Sequence, residues 1–91
     1  MRVDKYLKVS RLVKRRTVAN ELCDAGRVQI NGRPAKAGTE VQVGDKLSFT
    51  FGPRYLEVEV LIVAENVRAG DAATMYNVLK EERIKEEFPL D

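Results

Sequence analysis

Lys14, Arg15 and Arg16 stand in a row, and Thr17 follows them at what reads as the start of a helix. A helix N-terminus carries partial positive charge, so each cation there costs about a few tenths of a kcal/mol unless an anion meets it. Phosphate reverses that sign. Free backbone N–H groups, guanidinium groups and a threonine hydroxyl all favour a phosphate oxygen. Arg2, Lys5 and Lys8 recur every three residues upstream, and Arg11 extends their row into a strip. The helix after Thr17 turns Glu21 and Asp24 outward, which suits a DNA major groove poorly. RNA recognised by shape and backbone fits these residues better.

Other chemistry finds little support. The chain has no histidine, which removes the commonest general base and the commonest transition-metal ligand. Its one cysteine, Cys23, can form neither an intrachain disulfide nor a zinc cluster, and reads as a small core residue. Glu57 and Glu59 share one face of a strand and read as solvated charges. Neither GxxxxGK[ST] nor GxGxxG occurs. No cofactor, no metal and no enzymatic activity are expected.

The 91 residues suit one small domain. A net charge of +2 conceals an asymmetry. Residues 1–36 hold ten Lys/Arg against three Asp/Glu, a balance of +7; residues 37–91 hold six against eleven, a balance of −5. A basic half joined to an acidic half points to a polyanion-facing surface. The longest wholly apolar run, VLIVA at 60–64, falls far short of the roughly 20 residues of a membrane-crossing helix. The chain is expected to be cytoplasmic and reduced, with no membrane partner.

Patterning places these residues on elements. Asp4 caps a first helix over about 4–13, with Val3, Leu7, Leu12 and Val13 as its apolar stripe. Thr17 caps a second helix that turns Val18, Ala19, Leu22 and Cys23 inward and ends before Gly26. A period of two follows. Val28 and Ile30 precede an Asn31-Gly32 turn, and Pro34 suits an edge. Val41 and Val43 alternate, and KLSFTF and YLEVEVLIV form a hairpin across Gly52-Pro53-Arg54, with Leu56, Val58 and Val60 inward. In AATMYNVLKEERIKEE the spacing of Met75, Val78 and Leu79 predicts a helix, with MYNVL alone open to a short strand; EEFPLD frays. The expected class is α+β: two N-terminal helices packed on a small antiparallel sheet, with a helical C-terminal segment. Residues 1–64 form the domain and 65–91 an extension.

Four landmarks occur in order. They are RVDKYL at the start, S-R-x-x-x-x-R from Ser10 to Arg16, AGRVQING at 25–32, and VQVGD at 41–45. Together they cover about half the chain and resemble the S4 RNA-binding domain family. The resemblance implies an αL-type fold whose basic helical surface docks on structured RNA. By position it implies RNA-facing roles for Arg2, Asp4, Lys5, Arg11, Lys14, Arg15, Arg16 and Thr17, with Asp4 capping the first helix or orienting an arginine. Lys8, Arg27, Arg33 and Lys36 complete the basic candidate set.

Two small stand-alone branches of the family compete. The heat-shock S4 proteins, which recycle large subunits carrying nascent chains, typically have a basic C-terminal extension, whereas this chain ends acidic. The start MRVDKYLKVSRLVKRRT and the later AATMYNVLKEE resemble the RqcP-type branch of bacterial ribosome-associated quality control. That likeness implies a monomer binding obstructed 50S subunits through 23S rRNA. It would steady peptidyl-tRNA in the P site while an RqcH/NEMF-type partner directs alanine tailing. A general rRNA-binding or protein-interaction module is the remaining alternative.

Overall fold

The computed structural model describes residues 1–83. Helix α1 runs Val3–Val9 and helix α2 Arg16–Asp24. Strands β1 (Val28–Ile30), β2 (Arg33–Pro34), β3 (Lys46–Phe51), β4 (Arg54–Val60) and β5 (Tyr76–Arg83) form one antiparallel sheet in the order β2-β1-β3-β4-β5. The α+β class and the two helices on an antiparallel sheet agree with the sequence reading.

One face of the sheet carries the core. Leu47 and Phe49 of β3 and Leu56, Val58 and Val60 of β4 are buried with Val3, Tyr6 and Leu7 of α1 and with Ala19 and Cys23 of α2. Cys23 is a core residue, as its spacing suggested. Burial first, then the nearby Asp4 and Asp24 charges, push its thiol up to about 11. Tyr6 ties α1 to the far side of the chain. Its hydroxyl donates a 2.8 Å hydrogen bond to the Met75 carbonyl, which also accepts from the Leu61 and Ile62 N–H groups at 2.8 and 3.1 Å.

Two tight turns fix the strand register. Asn31 and Gly32, at φ 53° and 82°, join β1 to β2 with both central residues left-handed, the I′ pattern. The Asn31 amide then donates to Asp45 Oδ1 at 3.1 Å, and its oxygen accepts from the Lys46 N–H at 2.9 Å, anchoring this turn to β3. Gly52, at φ 59°, and Pro53 join β3 to β4, so Phe51 and Arg54 become cross-strand partners. Pro34 lies on the edge strand, where its missing donor costs no ladder bond.

Several boundaries differ from the sequence reading. Helix α1 ends at Val9, not near residue 13. The next inward positions after Leu7 fall to Ser10 and Arg11, and the Ser10 hydroxyl donates to the Leu7 carbonyl at 3.3 Å. Val13 reaches the core from a loop, its N–H bonded to the Leu7 carbonyl at 3.0 Å. Asp4 is not the cap of α1, and Thr17 is not the cap of α2. Arg2 and Arg15 hold those positions, without side-chain cap bonds. Val41 is buried, but Val43 is 64% exposed, because it sits with Gly44 in a turn closed by the Asp45 N–H on the Gln42 carbonyl.

The largest difference is at the C-terminal segment. The expected helix is a 3₁₀ helix, Ala69–Met75, followed by β5. The ladder places Val78 opposite Val58 and Lys80 opposite Glu57, leaving Leu79 as an extra residue in a bulge. The bulge sets two apolar residues side by side, and with Met75 they imitate helical spacing. Strand pairing prevails because β4 would otherwise expose a full row of backbone donors and acceptors. Residues 84–91, with the expected fraying of EEFPLD, lie outside the described residues.

Candidate nucleic-acid interface

A buried carboxylate organises the basic corner. Asp4 is 1% exposed. Arg2 pairs with it at 3.3 Å, and so does Arg16. The Lys5 backbone N–H donates to the same carboxylate at 2.7 Å, and Asn20 at 3.5 Å. Burial alone would raise the Asp4 pKa. The Arg16 and Lys5 hydrogen bonds and the charges of Arg16 and Arg2 outweigh it and hold the carboxyl below its ordinary value. Their common acceptor fixes one edge of each guanidinium, while both side chains stay about half exposed.

The sequence places Arg2 and Arg16 on different elements, and only packing of α1 against α2 brings them to one carboxylate. Of the two roles open to Asp4, the structure shows the orienting one. Asn20 was not singled out from sequence; it lies four residues after Arg16, on the same side of α2, and that spacing is its one local signal.

The start of α2 lacks the usual compensation for its cations. Its first turn contains no acidic residue, and its N-cap, Arg15, makes no side-chain cap bond. Lys14, Arg15, Arg16 and Thr17 are all exposed. Arg11 sits beside them at φ 64°, a left-handed conformation that glycine tolerates and that costs an L side chain about 1 kcal/mol. Its N–H bonds the Lys8 carbonyl at 3.1 Å, closing α1 and projecting the chain into the basic loop.

The twelve candidate residues do not form one patch. Arg2, Asp4 and Arg16 meet directly, and Arg11, Lys14, Arg15 and Thr17 continue from them along the loop and the first turn of α2. Lys5 instead pairs with Glu65, and Lys8 lies half-buried in the last turn of α1. Arg27 lines the opposite sheet face with Gln29, Ser48 and Tyr55. Arg33 stands beside the Asn31-Gly32 turn, and Lys36 lies by Cys23 and Asp24 at the other end of α2.

Glu57, expected to be a solvated charge, is engaged. It accepts from the Tyr55 hydroxyl at 2.6 Å and pairs with Lys46 at 3.3 Å, and the Tyr55 bond first lowers its pKa. Among the described residues, no group of three or more His, Cys, Asp or Glu is placed to hold a metal ion.

Two outcomes follow from this corner. Because the Asp4 pKa is lowered on folding, its contribution is complete above the unfolded value of about 3.9 and is lost as pH falls through the folded value. Asp4→Asn should cost about 1–3 kcal/mol at pH 7. The gap between the urea midpoints of the two proteins should narrow progressively as pH falls below about 4; a gap constant down to pH 2.5 would contradict this account. Arg11→Gly should stabilise the fold by about 0.5–1 kcal/mol by relieving the left-handed backbone, while weakening RNA binding. A drop in melting temperature would show that Arg11 is not strained.

Known proteins resemble this chain over most of its length. The S4 domain profile matches residues 1–47. The chain is 55% identical over 84 residues to a protein of Halalkalibacterium halodurans named RQC P-site tRNA stabilizing factor, covering 92% of this chain and 96% of that one. It is 51% identical over 86 residues to a protein of the same name from Listeria innocua, covering 94% of each. The solved structure of Vibrio cholerae Heat Shock Protein 15, described as trimeric, superposes with a TM-score of 0.80 at 26% identity, over 86% of this chain and 80% of that one. With the profile spanning α1 through the first residues of β3 and these relatives spanning nearly the whole length, the chain belongs to the S4 domain family.

Proposed function

We propose that the chain is a non-enzymatic RNA-binding factor of ribosome-associated quality control. It binds obstructed 50S subunits through 23S rRNA and steadies peptidyl-tRNA in the P site during alanine tailing directed by an RqcH-type partner. It acts as a monomer in the cytoplasm. The observation that carries this reading is the Asp4-centred corner, where oriented arginines adjoin an uncapped, acid-free helix start. Such a corner suits positioning of a phosphate backbone. The names of the two bacterial relatives direct the reading from RNA in general to P-site tRNA.

On this reading the protein supplies geometry and the ribosome supplies catalysis. Arg16 and Arg2 present guanidinium edges to phosphates, Lys14 and Arg15 add charge along the backbone, and the free N–H groups of the first turn of α2 donate to one phosphate oxygen. Residues 65–91 act as an extension of the RNA-binding unit. The likeness to Heat Shock Protein 15 favours a second reading, a factor that recycles free 50S subunits carrying nascent chains. The two separate on whether the bound subunit goes on to alanine tailing with an RqcH-type partner.

Arg16→Ala should leave the protein folded, because Asp4 keeps Arg2, Asn20 and the Lys5 N–H. The variant should lose co-sedimentation with 50S subunits carrying peptidyl-tRNA; wild-type sedimentation would remove Arg16 from the interface. For the wild-type protein, log K should fall by roughly 4–6 per tenfold rise in salt if about six phosphates are neutralised. A flat response in a salt titration would mean that the basic half does not carry the contact.

A further inference from the structure

A groove of about 560 Å³ opens between the 11–15 loop and the β3–β4 hairpin. That volume lies within the roughly 300–1,000 Å³ of small-ligand clefts. Its lining is apolar: Leu12 and Val18 on one wall, Phe49 and Phe51 on the other. Phe49 is buried, whereas Phe51 is 42% exposed and presents part of its ring to the opening. The rim is cationic, with Arg11, Lys14 and Arg15 on the loop side and Arg54 opposite. Arg54 pairs with Glu81; Arg11, Lys14 and Arg15 have no ion-pair partner among the described residues.

This combination selects its occupant. A ligand must bring a flat apolar body to Phe51 and negative charge to both sides of the cleft. An RNA nucleotide does both, with an aromatic base flanked by two phosphates. A paired base inside a helix cannot reach the floor, so the base must be unstacked, as in a bulge, a loop or a strand end. The loop wall also runs directly into the Asp4-centred corner, so a backbone held at Arg16 passes the rim. We propose that the groove receives one unstacked nucleobase of the bound RNA, stacked on Phe51, with its flanking phosphates held by Arg11, Lys14, Arg15 and Arg54. The proposal rests on the RNA-binding reading above and adds a base-binding pocket to it.

The rigid hairpin supports the assignment. Gly52-Pro53 makes Phe51 and Arg54 cross-strand partners, so ring and guanidinium enter the groove from adjacent positions on one face. Little in the sequence signals this, because Arg54 lies about forty residues beyond the loop it faces.

The test uses the full chain and two blunt RNA duplexes that differ by one bulged 2-aminopurine. The bulged duplex should bind about ten- to hundred-fold more tightly, with a change in 2-aminopurine fluorescence. Phe51→Ser should erase that margin and leave the paired duplex unaffected, whereas Arg16→Ala should weaken both equally. Phe51→Trp should retain the margin, and its indole, unique in this tryptophan-free chain, should be quenched by the bulged duplex. Phe51→Trp also keeps the test intact if Phe51→Ser fails to fold. Equal binding of the two duplexes, with no indole quenching, would overturn the pocket and leave the RNA-binding reading standing. Failure of both RNAs to bind would overturn that reading as well. Indole quenching by the acidic peptide EEFEE, and none by the bulged duplex, would make the groove a peptide site and overturn the proposal.

Discussion

The ion cluster around Asp4 is the constraint on which the N-terminal half depends. A carboxylate removed from water is costly unless every acceptor position is used. Here two guanidinium groups, a backbone N–H and an asparagine amide use them. The cluster fixes α1 against α2 and brings Arg2 and Arg16 together despite their like charge. Asp4 therefore belongs to the basic surface although its own sign is negative. The exposed halves of the arginines carry the excess charge, and the buried carboxylate sets their direction.

The opposite side of the core answers to a different constraint. Tyr6 reaches across to the Met75 carbonyl, at the junction of the 3₁₀ helix and β5. That carbonyl also receives two N–H groups from residues just after β4. One acceptor thus gathers α1, the end of β4 and the start of β5. From this junction β5 runs back along β4 to Arg83, which lies opposite Arg54. The sheet edge and the groove are in this way coupled to the same helix that carries Asp4.

Much of this was legible in the residues. Period-two stretches and the Asn31-Gly32 and Gly52-Pro53 turns marked β1 through β4, and the inward positions of α2 followed from its i,i+4 pairs. What failed was readable only with a partner strand in place. Leu79 occupies a bulge, so the 76–83 strand shows neither clean alternation nor true helical periodicity. The end of α1 failed differently: Leu12 and Val13 are apolar and near helical spacing, but Ser10 and Arg11 occupy the intervening inward positions. Cap assignment erred because Thr17 is a good cap by type, while the chain enters α2 two residues earlier, at Arg15. Contacts such as Lys5 with Glu65 and Arg16 with Asp4 join distant positions and carry no local signature.

Three departures from local rules cluster in space. A non-glycine residue in the left-handed region, a helix without a capping side chain and a first turn free of acid all lie within residues 11–18. Each departs from the local rule that would stabilise a free helix or turn. A sequence selected for stability alone would place glycine at 11 and aspartate or serine at 15, and both are cations. Departures from local consistency concentrate where function imposes another requirement. The requirement that accounts for all three at once is positive charge at this corner. On the proposed RNA-binding reading, the RLVKRRT loop is less a poorly made helix start than a surface whose missing compensation the phosphates of a bound RNA would supply.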